Sequence, residues 1–98
     1  MTIEIKRNAE ETTIKLVGRL DTTTAPALDK TIGEDIAGTK NLVLDVKELE
    51  YISSAGLRVL LGAQKKMQKI GSMKVTNVRE EVMEVFEMTG FADILTIE

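Results

Sequence analysis

Cysteine, histidine and tryptophan are absent from this sequence, and proline occurs once. Without cysteine the chain forms no disulfide, and without cysteine and histidine it lacks the usual ligands of zinc and other transition metals. It also lacks the imidazole that most often serves as a general base near neutral pH. The sequence therefore predicts a domain that folds without crosslinks, metals or cofactors.

Long apolar runs are missing too. The first ten residues alternate between charged and apolar side chains, whereas a signal peptide has a continuous apolar stretch. No segment reaches the roughly 20 apolar residues that a membrane-spanning helix needs. Together with the absence of cysteine, this predicts a cytoplasmic protein with no membrane insertion.

Basic residues are fewer than acidic residues, so that the formal net charge is -3 and the pI is near 5.0. Proteins that bind nucleic acid cluster lysine and arginine against the phosphate backbone. The one basic cluster here, Lys65, Lys66 and Lys69, falls at the end of a predicted helix, where cations complement the helix dipole. We therefore expect a solvated helix end and no nucleic-acid partner.

Apolar residues make up 43% of the 98 positions, which suits one globular domain over residues 1–98. We expect this domain to be a monomer. Ile3 with Ile5 and Ile14 with Leu16 alternate with polar residues and predict two half-buried strands, joined as an antiparallel hairpin. A helix with Pro26 in its first turn is predicted next, with Leu28, Ile32 and Ile36 along one face.

The second half repeats the alternation of strand and helix. Residues 41–46 are almost continuously apolar and predict a strand covered on both faces, followed by a loop over 47–52 and a helix over 53–69. A strand over 73–78, a helix after a capping-box-like start at 77–80, and an edge strand over 92–97 complete the pattern. This order predicts an α/β fold with a mixed, largely parallel five-stranded sheet and crossover helices.

Function is expected at the loops that follow the strands, because in such sheets these loops and the helix N-termini share one end. Two loops there are distinctive, residues 21–24 and residues 51–57. Ser53 or Ser54 is expected to cap the helix that begins in the second loop. At about 100° per residue, one sector of this helix holds Ser54, Leu57, Arg58 and Leu61, and the opposite sector holds Val59, Leu60, Ala63, Met67 and Ile70.

The sector with Val59, Leu60, Ala63, Met67 and Ile70 is the expected core face of this helix. Leu57 and Leu61 lie outside it, in the same sector as Ser54. Two interpretations of these leucines remain open. They form part of an exposed partner surface, or they belong to a wide buried stripe covered by a neighbouring element.

Four segments in register resemble the STAS family, in particular the bacterial anti-sigma factor antagonists. They are Gly18-Arg19-Leu20-Asp21, Leu42-Val43-Leu44-Asp45, Ile52-Ser53-Ser54-Ala55-Gly56-Leu57 and Phe86-Glu87-Met88-Thr89-Gly90. The resemblance covers nearly the whole chain and implies a STAS-like fold.

The resemblance implies that Ser54 is phosphorylated by a serine kinase that is also the anti-sigma factor, and that a serine phosphatase resets the chain. The unphosphorylated form would occupy the anti-sigma factor and free the sigma factor. Ser53 stands where the family often has aspartate, so Ser53 is an alternative acceptor. The partner surface implied for this chain comprises Asp21, Thr22, Ser53, Ser54, Leu57, Arg58 and Leu61.

Two other classes of function compete with this one. The same fold could be a scaffold or regulatory subunit of a signalling assembly or of a membrane transport system. An enzyme would need Asp21, Asp45 and Ser54 to share a cleft, yet no side chain supplies a base poised near neutral pH. We therefore expect a protein that is not an enzyme.

Overall fold

The computed structural model describes the backbone of residues 1–98 and every side chain except that of Asp35. Along the chain, the elements are β1 (Thr2–Asn8), β2 (Glu11–Leu20), α1 (Ala25–Asp35), β3 (Asn41–Ile52), α2 (Ser54–Ile70), β4 (Ser72–Thr76), α3 (Glu80–Thr89) and a 3₁₀ turn (Phe91–Asp93). None of the helices in this described chain is long and apolar enough to cross a membrane.

The sheet has the order β1-β2-β3-β4. β1 and β2 form the predicted antiparallel hairpin, while β2, β3 and β4 run parallel to one another. Parallel neighbours need crossover connections, which α1 and α2 provide. The predicted α/β class with a mixed, largely parallel sheet and crossover helices is confirmed.

The fifth strand is the part of this prediction that is wrong, because the sheet has four strands across the described chain. Gly90 turns the chain with a φ of 81°, and the next residues form a 3₁₀ turn whose backbone amides bond back to Gly90 and Phe91. Ile97 then makes a single parallel bridge to Val75 in β4. Leu95 is buried and Phe91, Ala92 and Ile97 pack against the core, whereas Ile94 is exposed, so the segment caps the core edge instead of extending the sheet.

The helices cover one face of the sheet only. Alternate residues of the parallel strands, such as Ile14, Leu44 and Val75, pack into one core with Leu28 of α1, Leu60 of α2 and Phe86 of α3. The opposite face, called the open face here, carries Thr13 and Lys15 from β2, Val43 and Asp45 from β3, and Lys74 and Thr76 from β4. Val43 is buried on the open face by residues of the neighbouring strands. The sequence of this part of β3 is therefore almost continuously apolar, although no helix covers the open face.

β3 continues through residues 47–52, where the sequence predicts a loop. From Val46 onward the buried positions of β3 are Val46, Leu49 and Ile52, three residues apart. Two register shifts between β2 and β3 break the alternation of the strand pair. Residues 47–52 therefore lack the alternation of buried and exposed residues by which a strand is recognised in a sequence. This part of β3 leads to the end of the sheet where α2 begins.

Candidate functional site

The candidate site lies where β2 and β3 end side by side. Leu20 and Ile52, the last residues of these strands, are partners in the parallel register. The backbone amide of Ser53 donates to the carbonyl of Leu20 over 2.9 Å. The structure thus brings together the two loops that the sequence singles out, with Asp21 after one strand and Ser53 after the other.

Ser53 and Ser54 differ in their surroundings. Ser53 is half-buried and is the N-cap of α2, because its Oγ accepts from the amide of Gly56 at 3.3 Å. Ser54 is the first residue of the helix and is exposed. The capping role therefore belongs to Ser53, and the Ser54 hydroxyl is open to solvent at the positive end of the helix dipole.

Gly56 lets the start of α2 approach both strands. A Cβ built at this position would lie 2.7 Å from Cγ of Leu20 and 2.9 Å from Cγ1 of Ile52. Distances this short leave no room for a methyl group unless the core side chains move. The glycine therefore sets how closely the Ser53–Ser54 segment is held against the strand ends.

The loop after β2 is organised around the carboxylate of Asp21. Its Oδ1 accepts from the amide and the hydroxyl of Thr23, at 3.0 and 2.7 Å, and from the amide of Thr24 at 3.1 Å. The hydroxyl of Thr24 donates to the carbonyl of Arg19 over 2.8 Å, which ties the loop back to its strand. Thr22 is exposed between these residues.

These hydrogen bonds lower the pKa of Asp21, and the Thr23 hydroxyl contributes most, followed by the backbone amides of Thr24 and Thr23. A carboxylate with a depressed pKa stabilises the folded state above its ordinary pKa, and this contribution is lost as the pH falls through the folded value. At neutral pH, Asp21 is therefore ionised and holds its loop in one conformation.

We expect Thr23→Val to raise the pKa of Asp21 toward the ordinary value, because the hydroxyl donor is removed while the backbone amide remains. Titration of the Asp21 carboxyl carbon by NMR in both proteins measures the shift. Thr31→Val is a matched control, because the Thr31 hydroxyl bonds only to the carbonyl of Ala27 in α1. The same pKa of Asp21 in all three proteins would contradict the role given to Thr23.

The face of α2 next to Ser54 differs from the prediction at Leu57. The side chain of Leu57 is 5% exposed and belongs to the core, so it is not part of an exposed apolar edge. Leu61 is half-buried and Arg58 is exposed. The buried face of α2 comprises Gly56, Leu57, Leu60, Ala63, Gln64 and Met67.

The difference arises because the core face is rotated relative to the predicted sector. Ile70 is 48% exposed and Val59 is half-buried, although both were assigned to the core face. The side chain of Leu57 packs in the core, one residue after the point where Gly56 lies close to Leu20 and Ile52. Leu61 remains as a half-buried apolar side chain beside Arg58.

Asp45 does not join this site. It faces the open side of the sheet, where its carboxylate accepts from the amide of Lys47 at 3.0 Å and from the side chain of Asn77 at 3.1 Å. It also lies seven residues before Ile52 in β3, which at about 3.3 Å per residue is on the order of 23 Å from the strand end. The cleft that an enzyme would build from Asp21, Asp45 and Ser54 is not formed.

A cation–aromatic pair beside the site was missed by the sequence analysis. The guanidinium carbon of Arg19 lies 4.3 Å from the centroid of the Tyr51 ring. Arg19 was quoted only as part of the segment before α1, and Tyr51 only as the start of the loop before α2. Their contact depends on the shifted register of β2 and β3, for which no local sequence pattern exists.

Comparison with known proteins places this geometry in a family. The family model described as STAS domain matches residues 2–98. An anti-sigma-B factor antagonist of Listeria monocytogenes is 31% identical to this chain, and the match covers 100% of the chain and 89% of that relative.

Solved structures agree with this relationship. An anti-sigma factor antagonist from Mycobacterium paratuberculosis superposes with a TM-score of 0.88 at 25% identity, over 98% of this chain and 83% of its own. SpoIIAA of Bacillus has been solved both unphosphorylated and phosphorylated, and the two forms give TM-scores of 0.85 and 0.77 at 19% and 18% identity. These matches cover 99% of this chain and 88% and 91% of the SpoIIAA chains. At identities of 19% and 18%, they show a shared fold and nothing further. With a family match that runs over almost its whole length, this chain belongs to the STAS domain family.

Proposed function

We propose that this chain is an anti-sigma factor antagonist controlled by phosphorylation of Ser54. The unphosphorylated form binds an anti-sigma factor that is also a serine kinase, and the sigma factor is thereby freed. Phosphorylation of Ser54 releases the kinase. The observation that carries the proposal is the exposed Ser54 hydroxyl at the first residue of α2, beside a neighbouring serine that is engaged as the helix cap.

The names of the relatives support the same function. The Listeria relative is an anti-sigma-B factor antagonist, and the Mycobacterium structure is that of an anti-sigma factor antagonist. SpoIIAA is an anti-sigma factor antagonist that has been solved in an unphosphorylated form, and a cell fate determinant of Bacillus that has been solved in a phosphorylated form. Because Ser54 is exposed at the start of α2, we infer that this chain exists in two forms that differ in one phosphate.

The position of Ser54 suits a phosphate that changes binding and leaves the fold intact. A phosphoserine carries about -1.5 to -2 charge at pH 7, and a helix N-terminus stabilises such a charge by roughly 0.3–1 kcal/mol. Arg58 lies one turn further along the same exposed face, where a cation is favourably placed relative to an anion at Ser54. A partner seated on Ser54 would have to desolvate the phosphate, which opposes binding.

Around Ser54, the proposed partner surface comprises Asp21, Thr22, Ser53, Arg58 and Leu61. The ionised Asp21 and the exposed Thr22 contribute from the loop after β2, whereas Arg58 and Leu61 contribute from α2. Leu57 supports this surface from beneath, because its side chain is buried against the strands. The assignment predicts that substitutions of Leu57 act through stability and those of Leu61 through binding.

In this proposal the chain is a substrate and a ligand, and not an enzyme. The anti-sigma kinase supplies the ATP and magnesium for the transfer, and a serine phosphatase removes the phosphate again. The γ-phosphoryl group passes from ATP to Oγ of Ser54, ADP leaves, and the hydroxyl proton is taken up by the kinase. We further propose that the single domain of residues 1–98 acts as a monomer in the cytoplasm, with no cofactor.

Incubation of the purified chain with the purified kinase, ATP and magnesium tests the proposal, with the phosphate located by mass spectrometry. We expect one phosphate, on Ser54, and none on the Ser54→Ala variant. Ser53→Ala serves as the control that keeps the acceptor and removes the cap, and it should still be phosphorylated. Phosphate on Ser53 alone would refute Ser54 as the acceptor, and no transfer at all would favour a scaffold of the same fold.

Leu61→Lys is expected to weaken binding of the kinase at least tenfold, or about 1.4 kcal/mol, because it places a charge on an apolar contact. The melting temperature should stay within a few degrees, since Leu61 is only half-buried. Leu57→Lys is the contrasting variant, and it should lose stability because it buries an unpaired cation in the core. Calorimetric titration and thermal unfolding measure both, and equal behaviour of the two variants would contradict the assignment.

A further inference from the structure

Arg19 and Tyr51 form a stacked pair at the end of the open face. Leu20 and Ile52 point into the core, so the residues immediately before them point to the opposite side of the sheet. Arg19 and Tyr51 are partners in the parallel register, and the guanidinium lies 4.3 Å from the ring centroid. Since the amide of Ser53 donates to the carbonyl of Leu20, this pair and Ser54 lie at the same end of the sheet.

The guanidinium of Arg19 lies over the Tyr51 ring and keeps most of its hydrogen-bonding capacity. Its Nε lies 4.0 Å from Oδ2 of Asp21, and its side chain is 60% exposed. Among the residues that the structure describes, no acceptor bonds to its two terminal nitrogens, and Asp21 is the nearest carboxylate. The Oδ1 of Asp21 is meanwhile occupied by Thr23 and Thr24.

Such an arrangement suits recognition of a carboxylate. Arginine presents a planar fork of donors that matches the two oxygens of a carboxylate, and stacking on an aromatic ring fixes the plane of that fork. A side chain that is already ordered loses less entropy on binding. Tyr51 is 41% exposed and supplies apolar area next to the charge, and tyrosine and arginine are the residue types enriched where binding energy concentrates.

We propose that the Arg19–Tyr51 pair binds an acidic side chain, aspartate or glutamate, of the anti-sigma partner. This inference rests on the proposed function, because it assigns a second contact to the partner that docks on Ser54. Arg19 places a cation that is 60% exposed at this end of the sheet, with Asp21 as its carboxylate contact at 4.0 Å, and its terminal nitrogens can still attract a carboxylate of the partner. The pair thereby selects partners that are acidic at one defined point beside the phosphorylation site.

Calorimetric titration of the purified anti-sigma kinase with charge-reversed variants tests the assignment. Arg19→Glu should weaken binding at least tenfold, and Arg19→Lys should give an intermediate loss because an ammonium keeps the charge but not the fork. Lys40→Glu is the matched control, since it makes the same change in charge at an exposed residue next to the opposite end of β3. It should change the affinity less than twofold.

A compensating substitution in the partner provides a second test. An aspartate or glutamate of the kinase changed to lysine should restore binding to Arg19→Glu and weaken binding to the unchanged chain. If Arg19→Glu itself fails to fold, Arg19→Gln provides the same test without adding a negative charge. Equal affinities of Arg19→Glu, Lys40→Glu and the unchanged chain would overturn the inference, whereas no binding of the unchanged chain would overturn the proposed function.

Discussion

Ser54→Asp is expected to weaken binding of the anti-sigma kinase at least tenfold while leaving the fold unchanged. The substituted carboxylate stands at the first residue of α2, where the helix dipole favours a negative charge by about 0.3–1 kcal/mol. The same charge lies where the partner would dock, and a tenfold loss of affinity corresponds to about 1.4 kcal/mol. The change should therefore be seen in the dissociation constant and not in the melting temperature.

Ser54→Ala is the matched control, because it removes the hydroxyl without adding charge. Since Ser53 supplies the cap of α2, the alanine variant loses no capping hydrogen bond. Its stability should lie within about 0.5 kcal/mol of the unchanged chain, as is usual for a surface position. Calorimetric titration of both variants against the kinase gives the comparison, and equal affinities would show that charge at this position does not control binding.

Gly71→Ala is expected to lower the free energy of unfolding by about 3 kcal/mol, the upper part of the usual range for overpacking. A Cβ at this position would lie 1.8 Å from the carbonyl oxygen of Lys40. That oxygen accepts from the amide of Ser72 at 2.8 Å, next to the Asn41–Ser72 pair where β3 and β4 begin to run together. A backbone group cannot swing aside as a flexible side chain can, so the methyl group would separate the two strands at their start.

Gly33→Ala provides the contrast for this experiment. Gly33 lies in α1, is exposed, and a Cβ there would meet no atom within 4 Å. Replacing a glycine inside a helix by alanine stabilises by about 0.5–1 kcal/mol. Denaturant unfolding should thus move the two glycine variants in opposite directions, and a Gly71→Ala protein within about 1 kcal/mol of the unchanged chain would contradict the geometry at Lys40.

Much of the fold follows from local patterns that act over a few residues. Alternation at Ile14 and Leu16 and the four-residue spacing of Leu28, Ile32 and Ile36 report burial on one face, and these residues are indeed in the core. The two end loops could be placed together from topology alone, because parallel strands deliver their carboxyl ends to one edge. The apolar run over 41–46 and the core sector of α2 likewise predict burial, and Leu42, Leu44 and Leu60 are buried.

The errors occur where distant residues decide the outcome. The register shifts between β2 and β3 hide the second half of β3 and create the Arg19–Tyr51 contact. At the end of the chain, the bonds that follow Gly90 turn an apolar segment that resembles a strand into a 3₁₀ turn. The orientation of α2, which buries Leu57, reflects packing against the strands and is not visible in the spacing of the apolar residues of the helix.

At Asn77, too, a contact with a residue distant in sequence decides the local structure. Its sequence context resembles a capping box, yet α3 begins at Glu80 with Arg79 as the N-cap and no capping bond from a side chain. Asn77 instead has a φ of 59° and donates through its side chain to Asp45 on the neighbouring strand. A contact across the sheet thus outweighs the local capping pattern.

The most direct test of the central claim compares the chain with and without its phosphate. The protein is phosphorylated to completion on Ser54, checked by mass spectrometry, and titrated calorimetrically into the same preparation of anti-sigma kinase as the unphosphorylated protein. We expect the phosphorylated form to bind at least tenfold more weakly, with an unchanged circular dichroism spectrum, because the phosphate adds about -1.5 to -2 charge at the docking surface. Equal affinities of the two forms would contradict the proposal that the phosphate on Ser54 switches the partner.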